Sequence, residues 1–319
     1  MEAVELLPKV RRGRILTPAD FGCLKGIPTL NVTQGCLFQC AYCYARGYRD
    51  APGKGKVHLY VNLPRLLEEE LLKKRVLPPW VILNTSSDCF QPHPDILDVT
   101  WQVMKLLLDH GVGLSFLTKG IIPERFLRLM EGFPEKILAQ IGLVSLSPLY
   151  WRKYEPGTPS PEERLENIRK LKQIGVFPEI RMDPIVPFVT DVESELKRLF
   201  EQLESFEVKR VTVSYLHLRP AIRDQLLQEL PPIHQKLITP LFETQEWKTI
   251  GSSTKTKLLP RTLRERGYQR IKETAKEFGI TVIVCQCKNP DLEADICSPG
   301  TVRKVSRKTT PIQLPLFKC

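Results

Sequence analysis

The chain has 319 residues, 42% apolar and 26% charged, which suits one large globular domain or a domain plus an extension and excludes wholesale disorder. No run approaches the roughly 18 apolar residues of a bilayer span, and the N-terminal MEAVELLPKVRRGR lacks a signal peptide's apolar core, so a cytoplasmic protein without membrane contact is expected. The formal net charge is +11, and residues 251–319 hold 14 Lys and Arg against 6 Asp and Glu, which points either to a polyanionic partner, nucleic acid first, or to a solvated basic surface.

Strands are predicted over 28–33, 80–84, 113–118, 141–147, 177–186 and 209–216, from short β-branched and apolar runs. Amphipathic stretches near 63–75, 95–110, 122–131, 161–174 and 191–204 fall between them. The clearest helix start is Ser160 as N-cap followed by Pro161, and Gly175 sits where that helix stops. Such alternation predicts right-handed βαβ units and a parallel sheet. Six units suit a partial (β/α)6 barrel of TIM-like type, with a doubly wound open sheet as the alternative. Beyond about 217 the pattern changes. Residues 221–229 and 260–279 read as helices, ITVIVCQC as one more strand, and 298–319 as a basic tail. The expected division is 1–220 for the barrel, 221–297 for a basic, cysteine-containing C-terminal extension and 298–319 for the tail.

Nine cysteines, an odd number without an export signal, argue against a disulfide framework and for metal ligands or reactive thiols. Cys36, Cys40 and Cys43 form C-x3-C-x2-C just after the first predicted strand. In a barrel that is a loop at the carboxyl mouth, where such folds keep their chemistry. Three thiolates can hold three irons of a [4Fe–4S] cluster and leave the fourth iron open. A zinc knuckle or unligated buried thiols are the alternatives. Zinc would need a fourth ligand, and His58, the nearest of five histidines, completes no standard motif.

C-x3-C-x2-C with the aromatic Tyr42 before its last cysteine resembles the signature of radical S-adenosylmethionine (SAM) enzymes. The resemblance implies a radical SAM partial barrel, a [4Fe–4S] cluster on Cys36, Cys40 and Cys43, SAM on the open iron, and an external electron donor. A narrower resemblance rests on feature order: the cysteine loop, YVNLP at 60–64, Thr85-Ser86-Ser87-Asp88, FLTKG at 116–120, SLS at 145–147, EPGTPS at 155–160 with Glu163-Arg164-Leu165, and a strand ending Pro184-Ile185-Val186-Pro187. That order is similar to the spore photoproduct lyase family and its "DNA repair photolyase" relatives, over about 28–215. It implies cofactor-binding positions at Tyr42, Ser86 or Ser87, Lys119 toward the SAM carboxylate, and Ser145 or Ser147. One position departs. The family's hydrogen-donating cysteine would fall on Thr85, whose O–H bond is too strong for that step, and Cys89, next to Asp88, becomes the candidate catalytic donor, with an inert core thiol as the alternative.

Cys285, Cys287 and Cys297 form a second group, C-x-C-x9-C, that fits a second Fe–S cluster or zinc, with Cys23, Cys319 or a non-cysteine group as fourth ligand, or chance buried thiols. The tail ends in Gln313-Leu314-Pro315-Leu316-Phe317, which resembles the sliding-clamp-binding pentapeptide of bacterial DNA repair proteins. Leu314, Leu316 and Phe317 would be its apolar anchors, and Gln313 its hydrogen-bonding residue. The expected function is lyase-type repair of a DNA lesion by radical SAM chemistry. The alternatives are radical SAM modification of RNA or a peptide, and a non-catalytic, metal-stabilised DNA-binding protein.

Overall fold

A computed structural model describes residues 4–297, apart from 21, 251–253 and 296. The strands in chain order are β1 (Glu5–Lys9), β2 (Thr17–Pro18), β3 (Pro28–Leu30), β4 (Thr33–Gln34), β5 (Lys56–Tyr60), β6 (Trp80–Leu83), β7 (Gly113–Thr118), β8 (Ile137–Gly142), β9 (Glu179–Ile185), β10 (Arg210–Tyr215), β11 (Lys248–Ile250), β12 (Thr254–Thr256) and β13 (Thr281–Val284). The helices are α1 (Leu63–Lys73), α2 (Pro94–Asp109), α3 (Glu124–Glu131), α4 (Pro148–Tyr154), α5 (Pro161–Gln173), α6 (Glu193–Ser205), α7 (Pro220–Glu229), α8 (Pro232–Ile238), α9 (Pro240–Glu243) and α10 (Arg261–Glu277).

Eight strands form one sheet in the order β13-β10-β9-β8-β7-β6-β3-β2. Each neighbouring pair is parallel except β2 with β3. Parallel strands need crossovers, and α2, α3, α5 and α6 supply them between β6 and β10. The result is the expected partial barrel: six βα-type strands from β3 to β10, with β13 added beside β10. The sheet stays open between its β2 and β13 edges. A separate three-stranded sheet, β1-β5-β4, covers the chain's start.

Core packing follows strand alternation. On β9, Ile180 and Met182 are fully buried, while Arg181 and Asp183 take the opposite face. Phe90, Phe116 and Phe126 form an edge-to-face aromatic group between β7 and α3, with centroids 5.4 and 5.1 Å apart. Helix α5 starts as its sequence indicates. Ser160 Oγ accepts from the Glu163 amide and the Glu163 carboxylate accepts from the Ser160 amide, a reciprocal cap.

Two boundaries differ from expectation. The predicted strand 28–33 is two strands in two sheets, because Asn84 interrupts it: its amide donates to Leu30 O and its Oδ1 accepts from the Val32 amide. The strand predicted at 141–147 is Ile137–Gly142. Leu143, Val144 and Leu146 are buried but lie beyond the strand, and hydrophobicity alone does not separate a buried strand from a buried loop. Residues 221–297 supply α7 to α10 and β13, the last in the main sheet. The tail from 298, with Gln313, Leu314, Leu316, Phe317 and Cys319, lies outside the described residues.

Phe126 is fully buried. Phe126→Ala should cost about 3–5 kcal/mol, read as a lower urea midpoint with little change in slope.

Candidate active site

The three-cysteine loop runs from β4 to the short helical turn Tyr44–Gly47, and all three thiols are half-buried. Its path is set by Gly35 and Gln91. Gly35 has φ +82°, and a Cβ there would meet Lys56 O at 3.0 Å and Pro52 Cγ at 2.9 Å. Gln91, fully buried, accepts from the Leu37 amide at 2.8 Å and donates to Thr33 Oγ1 and Asp88 O at 2.9 Å each. From beyond residue 220, Gln225 of α7 donates to Ala41 O, and Arg46 pairs with Glu229 at 2.6 Å. Burial pushes the Cys36 thiol well up, and the Cys40 thiol up to about 12.

The EPGT segment explains itself once folded. Glu155 and Arg164, each almost wholly buried, pair at 2.5 Å. Glu155 also accepts from the Tyr42 hydroxyl, between Cys40 and Cys43. Arg164 donates to Gly142 O and Pro159 O at 3.0 Å, and to Thr158 Oγ1. Gly157 passes so near the cysteine loop that a Cβ would lie 2.6 Å from Phe38 O. The motif therefore anchors the cysteine loop from behind. Burial alone would raise the Glu155 carboxyl, but Arg164 and then Lys119 hold it below the ordinary glutamate value.

Lys119 leaves the end of β7 and lies 5.6 Å from the Tyr42 ring centroid. Gly142 leaves room for it, since a Cβ there would meet its Cγ at 2.9 Å. Burial would lower its ammonium, yet Glu155 keeps it above the ordinary lysine value. Its amide is held by Asp88, whose carboxylate also accepts from Thr118 Oγ1 at 2.6 Å and the Phe90 amide at 2.9 Å. The expected serines divide. Ser86 bonds Asn31 Oδ1 at 3.0 Å through both amide and hydroxyl. Ser87 Oγ is buried with no partner among the described residues. Ser147 caps α4, and Ser145 Oγ accepts from its amide at 3.0 Å. Cys89 is completely buried in the apolar core, and burial raises its thiol well above the usual value. The structure thus brings Tyr42 and Lys119 together beside the cysteine loop and sets Cys89 apart in the packing.

Further along the inner face lies a charged group that motif reading missed. Asp183 accepts from Lys288 at 2.5 and 2.7 Å and from Arg181 at 3.2 Å. Burial would raise its carboxyl, but Lys288 and Arg181 hold it down. His217 is pushed down to about 3, first by burial and then by Lys288, so it is neutral. Arg219 stacks on the Tyr44 ring at 4.5 Å. Strand alternation could have flagged Arg181 and Asp183 as one face, but not what faces them.

Three thiols fit a cluster that leaves one iron open. Near Cys40 stands the cationic Lys119, which is a partner for a carboxylate, and Ser87 keeps an orphaned buried hydroxyl, which is a partner for a polar ligand. A partial parallel barrel with such a loop at the mouth of its first strands is the framework of a cofactor-dependent α/β enzyme. Residues 30–203, more than half of the chain, match the radical SAM superfamily, and the chain belongs to it.

The chain is 25% identical over 255 residues to the radical SAM Nα-GlyT isomerase of Pseudomonas phage M6, which covers 78% of this chain and 51% of that protein. It is 30% identical over 221 residues to a protein of Mycobacterium tuberculosis, covering 66% of this chain and 65% of that one. It therefore spans about half to two-thirds of the length of these curated relatives. A spore photoproduct lyase structure with bound AdoMet and dinucleoside spore photoproduct superposes with a TM-score of 0.69 at 16% identity, covering 87% of this chain and 81% of that one. That likeness establishes a shared fold.

Arg164→Leu should cost about 3–5 kcal/mol, because it strands the buried Glu155 charge. The pair's contribution is complete above the ordinary glutamate range of about 4.3 and is lost as pH falls through the depressed folded value. Glu155→Gln should flatten that acid-side loss, measured by urea unfolding between pH 7 and pH 3.

Proposed function

We propose that this radical SAM enzyme holds a [4Fe–4S] cluster on Cys36, Cys40 and Cys43, binds SAM beside it, and acts on a nucleobase in DNA in a lyase- or isomerase-type reaction. Together, cluster and SAM supply one-electron cleavage to methionine and a 5′-deoxyadenosyl radical, with the electron from an external donor. Lys119, held cationic by Glu155, receives the cofactor's carboxylate, and Ser87 offers it an unused hydroxyl. Tyr42, tied to Glu155, fixes the loop on which the cluster sits.

The observation that carries the nucleobase reading is the Tyr44–Arg219 stack at 4.5 Å, one residue beyond Cys43. An aromatic ring with a guanidinium on it is a surface against which a base can stack. Two relatives support the same substrate class: one carries the name GlyT isomerase, and a spore photoproduct lyase holds a dinucleoside. A duplex target would have to be extruded from its stack. Cys89 is the expected thiol donor of the returning hydrogen atom. Its complete burial favours a packing role instead, and the return then falls to a tyrosine or to regenerated deoxyadenosine. The terminal QLPLF adds a proposed partner, the sliding clamp, which would deliver the enzyme to DNA.

Cys40→Ala should abolish deoxyadenosine formation with dithionite; retained cleavage would overturn the cluster assignment. Lys119→Met should weaken SAM binding about 10-fold or more, the worth of a charged hydrogen bond, as seen by equilibrium dialysis. Arg219→Ala should leave uncoupled SAM cleavage intact and remove its stimulation by thymine-containing DNA. Stimulation of the unaltered enzyme by RNA or peptide in place of DNA would move the substrate class. Phe317→Ala should abolish capture on immobilised bacterial clamp.

A further inference from the structure

Cys23, Cys285, Cys287 and Cys297 come from opposite ends of the chain, yet their sulfurs all lie within 4.8 Å of one another. Cys285 Sγ is 2.8 Å from Cys287 Sγ and 3.1 Å from Cys297 Sγ. Four thiolates around one tetrahedral ion with bonds of about 2.3 Å stand ~3.8 Å apart. A cubane cluster instead needs its four cysteines on separate corner irons, and thiols this close leave no room for irons and sulfides between them. We infer that Cys23, Cys285, Cys287 and Cys297 bind a single zinc ion, and that this ion clips together the two edges of the open sheet.

The surroundings are built for close approach. Cys23 lies in the turn between β2 and β3, at one edge of the sheet. The other three follow β13, at the opposite edge. Gly22, at φ +46°, lets the two segments meet; a Cβ there would sit 2.2 Å from Cys287 Cβ. The second segment is held in place without Cys23. Asn289 donates to Cys285 O at 2.9 Å and accepts from the buried Arg264, which also pairs with Asp291 at 2.6 Å. The Asp295 amide donates to Val284 O at 2.8 Å, which turns the chain back so that Cys297 reaches Cys285. Four thiolates on a divalent ion carry net charge −2, and Arg181 approaches Cys285 Sγ at 3.8 Å and Cys297 Sγ at 4.0 Å with its guanidinium.

The consequence reaches the active site. Arg181 and Lys288 both bond Asp183 on the inner face of the barrel, and Lys288 directly follows Cys287. The ion therefore sets the position of charged groups on the inner face of the barrel while taking no part in electron transfer, since Zn²⁺ has no redox chemistry.

The test uses the full chain, purified without oxygen, with Cys36, Cys40 and Cys43 all changed to Ala so that iron at the first site is removed. About one zinc per chain, with about four sulfurs at ~2.3 Å in zinc-edge X-ray absorption, is the expected result. Cys23→Ser in that background should lose most of the zinc. A second measurement needs no ligand change: alkylation of the native protein should spare these four thiols until a chelator removes the metal. Iron in place of zinc, disulfide-linked Cys285 or Cys297 in zinc-free protein, or full zinc retention in folded Cys23→Ser would each overturn the assignment.

Discussion

A buried ion pair organises this site. Glu155 and Arg164 lie where neither charge could stand alone, because an unpaired buried charge costs several kcal/mol. Each also spends its remaining hydrogen-bonding capacity on a different part of the chain. Glu155 reaches the Tyr42 hydroxyl in the cysteine loop, and Arg164 reaches Gly142 O at the end of β8 and Thr158 in its own turn. The pair joins the cysteine loop, a central strand and α5 in one satisfied network. Lys119 depends on the same carboxylate, since Glu155 more than offsets the downward pull of burial on its ammonium. The loop's position and the raised lysine thus share one cause.

The two cysteine groups differ in spacing, and spacing selects the chemistry. Cys36, Cys40 and Cys43 occupy one short loop that Gln91, Gly35 and Gln225 hold in shape. Among the described residues they do not form the compact set that the other four thiols do. A loose trio suits a cluster with an open corner, and a tight quartet suits one ion with none. The first group lies within one short loop, and the second brings together segments far apart in the chain. Arg181 touches Cys285 of the quartet and bonds Asp183, which Lys288 also holds, so the quartet is in direct contact with the charged group on the inner face of the barrel.

Much of the fold was legible in the sequence. β6, β7, β9 and β10, with the helices that follow, were placed within a few residues, because strand and helix periodicities and the Ser160 cap are local signals. The C-x3-C-x2-C spacing that carries the radical SAM resemblance was legible for the same reason: it is short and contiguous, and residues 30–203 match that superfamily. The misplaced β8 and the divided 28–33 run were not legible, since backbone pairing with a distant strand and one asparagine's hydrogen bonds decided them.

By itself the sequence determined the class of fold, the superfamily's three-cysteine spacing and the presence of a second thiol group, all properties of neighbouring residues. Only the tertiary structure decided which residues serve them. It selected Cys23 as the fourth thiol, turned the EPGT motif from a family mark into a buried ion pair, left Ser87 rather than Ser147 with a free hydroxyl, and withdrew Cys89 into the core. The physical reason is common to all four. Burial, pairing and orphaned hydrogen-bonding groups arise from segments far apart in the chain, and one-dimensional spacing carries no record of which of them meet.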